Sequence, residues 1–190
     1  MAGFTFEFAG RSLVLRELSA TAADAQQLLD LTNRVAAEGL LGIDSLAACV
    51  EEALLFISRS LEHGSILLGL FDGERLIGHL GIDRIAGSES GSSAVDWVAG
   101  TPARNTGTLV LFLDKAYRGA GLGYKLLASG CRLAKERGLR RIWAATRSDN
   151  QAAIRLYRKL GFRPRLVTPP TSDPLSPPGS PATIYLELEL

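Results

Sequence analysis

The sequence predicts an α/β (α+β) protein built on a mixed, mostly antiparallel central sheet flanked by helices. Three observations predict it. The hydrophobic pattern alternates between strand spacing and a helical spacing of about 3.6 residues, in the order β-α-α-β-β-β-α-β-α-β-β. Asp72-Gly73 separates two apolar runs, SILLGLF and RLIGHLGIDRI, which is a hairpin signature. The apolar run Leu109 to Leu113 leads into glycines at 119, 121 and 123 and then into a helical pattern, so a strand hands over to a helix there.

Size and composition set the frame. With 190 residues, 46% of them apolar, the chain is long enough for one well-buried domain over 1–190. No run approaches the roughly 20 apolar residues of a membrane span, and MAGFTFEFAGRS lacks the basic start and apolar core of a leader, so the expected location is cytoplasmic. Cys49 and Cys131 stand alone inside apparent helices, against a disulfide framework or a metal cluster. The net charge of +1 hides an asymmetry: seven Lys and Arg against fifteen Asp and Glu up to Asp114, then fourteen basic residues against Glu136 and Asp149 from Lys115 to Arg165. Nucleic-acid binding is not favoured, because no row of aromatics accompanies the cations. A polyphosphate ligand suits a cationic lobe that begins at a glycine-rich turn.

The elements follow in order. Arg11 to Glu17 alternates as an opening strand. Thr21 or Asp24 can cap a helix carrying Leu28, Leu29, Leu31 and Val35, and a second helix is expected over Ser45 to Ser60. The hairpin comes next, then Ser88 to Gly107, a loop with at most a short strand near Val95, Trp97 and Val98. Leu109 to Leu113 reads as a strand buried on both faces. Beyond the glycines, Leu122, Leu126 and Leu133, with Leu127, Cys131 and Ala134 alongside, make an amphipathic helix that stops at Gly138. RIWAAT is a strand; Asn150 or Asp149 caps a helix with Ala153, Ile154, Tyr157 and Leu160 on one face, and Gly161 ends it. FRPRLV and TIYLELEL are the last strands, the second placing Ile184, Leu186, Leu188 and Leu190 on one face. The Pro-rich loop 168–182 separates them.

The turn after Leu113 has anion-binding chemistry, since helix-start N–H groups lack intrahelical partners and glycine allows close approach. Its spacing fails both the dinucleotide fingerprint G-x-G-x-x-G and the nucleotide loop G-x-x-x-x-G-K-[ST], because Tyr124 separates Lys125 from Gly123. What remains is Asp114, then Tyr117, Arg118, Gly119, Gly121 and Gly123, which resembles the pyrophosphate loop of the GNAT superfamily of N-acetyltransferases. A second motif strengthens the resemblance: Asn150, Ala153, Tyr157, Lys159, Gly161 and Phe162 match the helix that follows the cofactor helix in that family.

The resemblance implies the acyl-CoA N-acyltransferase fold, acetyl-CoA as co-substrate, and acetyl transfer to a primary amine by direct attack. It implies that the backbone of Leu111, Phe112 and Leu113 pairs with the pantetheine arm, and that the Leu113 amide is the oxyanion donor. Arg118, Gly119, Ala120, Gly121, Leu122 and Gly123 would cradle the pyrophosphate, Asn150 would touch the pantetheine arm, and Tyr157 would be the general acid. The long loop becomes a substrate lid or an oligomer contact, with a homodimer one expectation. The general base stays open among Asp96, Glu89, Asp83 and a water chain, with His79 and His63 weaker candidates. No metal-ligand constellation is present. The alternative is an inactive acyl-CoA-binding sensor of the same fold. The acceptor is not readable: a small-molecule amine, an antibiotic, a peptide N-terminus and a lysine side chain all remain open.

Overall fold

The structure, a computed structural model, describes residues 4–39, 48–85, 105–168 and 181–190. Its strands are β1 (Phe4–Phe8), β2 (Arg11–Glu17), β3 (Ile66–Asp72), β4 (Arg75–Arg84), β5 (Thr106–Leu113), β6 (Arg141–Arg147), β7 (Arg163–Thr168) and β8 (Thr183–Glu189). Its helices are α1 (Ala22–Ala36), α2 (Val50–Glu62), α3 (Leu122–Glu136) and α4 (Gln151–Lys159), with a short 3-10 turn at Lys115–Tyr117. The strands follow the hydrogen-bonded order β1-β2-β3-β4-β5-β6-β8-β7, and β5 with β6 is a parallel pair. The mixed, mostly antiparallel sheet is the expected architecture. Among the described residues no helix is long and apolar enough to cross a membrane.

The chain divides into two compact units, Met1–Asp83 with Val110–Leu133, and Arg84–Leu109 with Ala134–Leu190. In the first, α1 and α2 lay Leu28, Leu31, Val35, Ala53 and Ile57 on Leu67, Phe71, Leu76 and Phe112 to form one buried cluster. A bulge between β3 and β4 leaves Ile77 as the extra residue between Leu76 and Gly78. Gly78 and Leu80 are thereby turned to α3: a Cβ on Gly78 would come within 2.8 Å of Leu113 and 3.4 Å of Leu126, and Gly130 of α3 lies against Leu80. Helices thus cover both faces of this part of the sheet.

Thr21 is the cap of α1, accepting from the Asp24 N–H at 3.3 Å, while Asp24 itself forks onto Arg16 at 2.6 and 2.8 Å. The two cap candidates therefore do different jobs. Helix α2 starts at Val50, with residues 45–47 of the expected span outside the described set. Cys49 is the residue before α2, not inside it.

Strand β1 was not expected, although Phe4, Phe6 and Phe8 alternate. It pairs with β2 through a turn in which Ala9 and Gly10 both have positive φ, 48° and 75°. Alanine seldom adopts that conformation, so the turn carries no sequence signal. Phe4 and Phe6 then lie under Arg132 and Lys125 of α3 at 4.6 and 4.9 Å, which accounts for part of the cationic excess.

In the second unit β8 lies between β6 and β7, antiparallel to both. Gly161 closes α4 in the left-handed region (φ 94°), with its N–H on the Arg158 carbonyl and the Phe162 N–H on that of Tyr157. Gly138 ends α3 in the same way. Tyr185 and Glu187, on the face of β8 opposite Leu186, are buried as well. The loop 169–180, residues 86–104 and the first helix connection 40–47 lie outside the described residues, and with them the expected strand near Val95, Trp97 and Val98.

Candidate functional site

Strand β5 begins at Thr106, three residues before the apolar run, and its ladder with β6 joins Thr106–Leu109 to Arg141–Ala144 and ends there. Val110 to Leu113 lie beyond that ladder, and Val110 is 39% exposed, so burial on both faces is corrected for this half of the strand. The Asp114 N–H donates to the Ile77 carbonyl of β4 at 2.8 Å. Peptide groups alternate along a strand, so the Phe112 peptide also faces β4, whereas those of Leu111 and Leu113 face away. Phe112 instead sends its side chain into the α1/α2 core.

The turn that follows brings two glycines to the start of a helix. Asp114 caps the short turn through Ala116 N–H at 3.2 Å, Arg118 is extended, and α3 starts at Leu122. Gly119 and Gly121 have φ of 81° and 80°, and a Cβ on either would meet nothing within 4 Å. The first bond into the helix is from the Lys125 N–H to the Gly121 carbonyl at 3.1 Å. No described acceptor takes the N–H groups of Gly119, Ala120, Gly121, Leu122 or Gly123. Successive unbonded N–H groups at a helix start make a concavity of partial positive charge. These are N–H groups of residues that the family resemblance assigns to a pyrophosphate cradle.

Side chains hold this turn in place. Asp114 is buried between Arg34 (3.1 Å) and Arg75 (2.7 Å); burial alone would raise its pKa, and the Ala116 N–H and the two guanidinium groups overcome that and lower it. Tyr117 donates its hydroxyl to Asp72 at 2.6 Å, which also takes Arg11 at 2.8 Å. Arg118 gives Nε to the Leu113 carbonyl at 2.8 Å and both terminal nitrogens to Glu38 at 2.6 and 2.8 Å. Its guanidinium is thus occupied by protein, and its backbone N–H donates to the Lys115 carbonyl at 3.3 Å. Arg34, Glu38 and Arg75 carry no motif; partners distant in sequence give a single chain no signal.

In the second unit, Asn150 accepts from the Ala153 N–H at 3.1 Å, so its oxygen caps α4 and its amide nitrogen is what remains for a ligand. Tyr157 is 5% exposed, packs its ring 5.3 Å from that of Phe162, and has burial pushing its phenol up to about 12. No described residue bonds its hydroxyl. A buried phenol with no partner among the described residues is costly and unusual.

Of the base candidates, Asp83 lies on β4, while Glu89 and Asp96 fall outside the described residues. His63 ends α2, exposed, with Nδ1 2.6 Å from the Arg59 carbonyl. His79 is 2% exposed with Nδ1 3.1 Å from the Leu68 carbonyl, and burial lowers its pKa to about 4. It is neutral at working pH, while the unfolded chain protonates near pH 6.5. Folded-state stability from this group is therefore whole above about pH 6.5 and declines as the pH falls toward 4. Urea unfolding is expected to show a loss of about 2 kcal/mol between pH 7.5 and pH 5, flattened in His79→Gln. A slope unchanged by the substitution would assign it elsewhere. Burial also pushes the Cys131 thiol up to about 12, so it is inert. Among the described residues no three His, Cys, Asp or Glu are grouped to hold a metal.

Comparison with known proteins agrees with this geometry. The Acetyltransferase (GNAT) family matches residues 40–162. The mycothiol acetyltransferase of Nocardia farcinica is 44% identical over 55 residues, 29% of this chain, and the match spans only 18% of that longer relative. A GNAT-family acetyltransferase from Streptococcus pneumoniae superposes with a TM-score of 0.76 at 23% identity, covering 94% of this chain and 99% of that one. The phosphinothricin acetyltransferase of Sinorhizobium meliloti, solved with acetyl-CoA, superposes at 0.75 with 19% identity, covering 94% and 88%. With the family matched over well over half its length and the phosphate-type turn intact, the chain belongs to the acetyltransferase (GNAT) family.

Proposed function

We propose that the chain, as one catalytic domain, transfers an acetyl group from acetyl-CoA to a primary amine by direct attack. The observation that carries this is the row of N–H groups from Gly119 to Gly123 without an acceptor among the described residues, opening directly from a strand end whose Leu111 and Leu113 peptides face away from β4. The cradle suits the pyrophosphate of CoA, and its two open glycines leave room for the phosphates. Bound there, acetyl-CoA supplies an activated acyl thioester.

The protein's own contributions follow. The peptides of Leu111 and Leu113 extend strand pairing to the amides of the pantetheine arm. The Leu113 N–H meets the oxygen that gains negative charge as the amine attacks. Tyr157, protonated throughout the neutral range, gives its proton to the departing sulfur. Asn150 offers its amide nitrogen to the arm, and the amine loses its proton to a carboxylate or a water chain. A sensor that only bound acyl-CoA would need the cradle but not a buried phenol that lacks a partner among the described residues.

Calorimetric titration with acetyl-CoA, free CoA and NAD tests the cofactor assignment, and thiol release with a panel of amines tests turnover. Binding of the two CoA species but not NAD, with thiol release from at least one amine, is expected. Folded protein that binds no CoA species would remove the proposal; binding without turnover on any amine would leave the sensor.

A further inference from the structure

We infer that Glu38 is a positioning residue for acyl transfer, acting through Arg118 on Leu113; this rests on the acetyltransferase reading above. Glu38 lies just beyond α1, four residues after Arg34, so the two share a face of the helix end. Together they grip both ends of the segment that joins the thioester-binding strand to the phosphate turn. Arg34 holds Asp114 at 3.1 Å and the Leu76 carbonyl at 2.8 Å. Glu38 holds both terminal nitrogens of Arg118 in a two-pronged pair, which fixes the plane of the guanidinium. That plane aims Nε at the Leu113 carbonyl.

The peptide after Leu113 is thereby pinned twice, its N–H on Ile77 and its carbonyl on Arg118. The Leu113 N–H, one peptide upstream, is held in orientation as a result. An oxyanion donor works only if preorganised, and a small misplacement costs rate more than binding. Glu38 touches neither the cradle N–H groups nor any proposed reacting atom. Its carboxylate also keeps Arg118 from turning its fork on the phosphates, so its removal should not weaken, and can tighten, CoA binding.

The test is Glu38→Gln, nearly isosteric and uncharged. Expected are a kcat lower by about tenfold, a calorimetric Kd for free CoA equal to or below that of the wild type, and an unchanged thermal midpoint. The double variant Glu38→Gln with Arg118→Gln is expected to lose little more than the worse single variant, because both break one chain of contacts. A wild-type kcat in Glu38→Gln, a joint fall of kcat and CoA affinity with a lowered midpoint, or additive losses in the double variant would each overturn the inference. Wild-type protein that neither binds acetyl-CoA nor turns over would instead remove the parent reading, before any variant is compared.

Discussion

Gly121→Glu is expected to weaken acetyl-CoA binding at least about 100-fold while the protein stays folded. Gly121 has a φ of 80°, and its missing Cβ faces open space, so the substitution meets backbone strain of about 1–2 kcal/mol and no steric clash. Its carboxylate would lie beside the N–H groups of Gly119 to Gly123, which have no acceptor among the described residues. It would compete for those donors and repel a pyrophosphate, an effect of about 1–4 kcal/mol per charge pair at contact distance. Gly121→Ala separates the two costs, since it carries the strain without the charge, and it should keep most of the affinity. Calorimetry beside a thermal melt reads both. Tight CoA binding by a folded Gly121→Glu protein would show that the phosphates bind elsewhere.

Tyr157→Phe is expected to cut turnover at saturating acetyl-CoA by about 10²-fold or more, with stability held or slightly raised. The phenol is buried and makes no described hydrogen bond, so its loss removes an unsatisfied polar group and leaves the packing on Phe162 in place. With burial pushing its pKa up to about 12, the hydroxyl should contribute no ionisation to the rate profile between about pH 6 and pH 10. If the Phe variant keeps full turnover at saturating cofactor, Tyr157 is a core aromatic and the sulfur takes its proton from water.

The two proposed parts of the chemistry were legible to different degrees. The glycine turn was legible as backbone, because glycine at 119 and 121 suits the positive φ found there and strand, turn and helix are consecutive in sequence. Asn150 and Gly161 were legible as caps for the same reason, their partners being three residues away. Tyr157 was legible as a position but not as a state: only the folded environment shows that its hydroxyl is buried with no partner among the described residues. Val110 reads as a core residue in a run of apolar neighbours, yet the ladder stops one residue before it and leaves it exposed.

Local physics accounts for what the sequence determined by itself: the order of elements from β2 onward, the hairpin at Asp72-Gly73, the helix caps, the glycine turn and hence the family. Each depends on spacing or backbone freedom within a few residues. The tertiary structure alone decided where the β5 ladder ends and which charges are engaged. It gave Arg118 to Glu38, eighty positions away, and Asp114 to Arg34 and Arg75. A carboxylate and a guanidinium so far apart in sequence leave no periodic trace. Their meeting is set by the packing of α1 against β3, β4 and β5, which is where the hydrophobic burial lies.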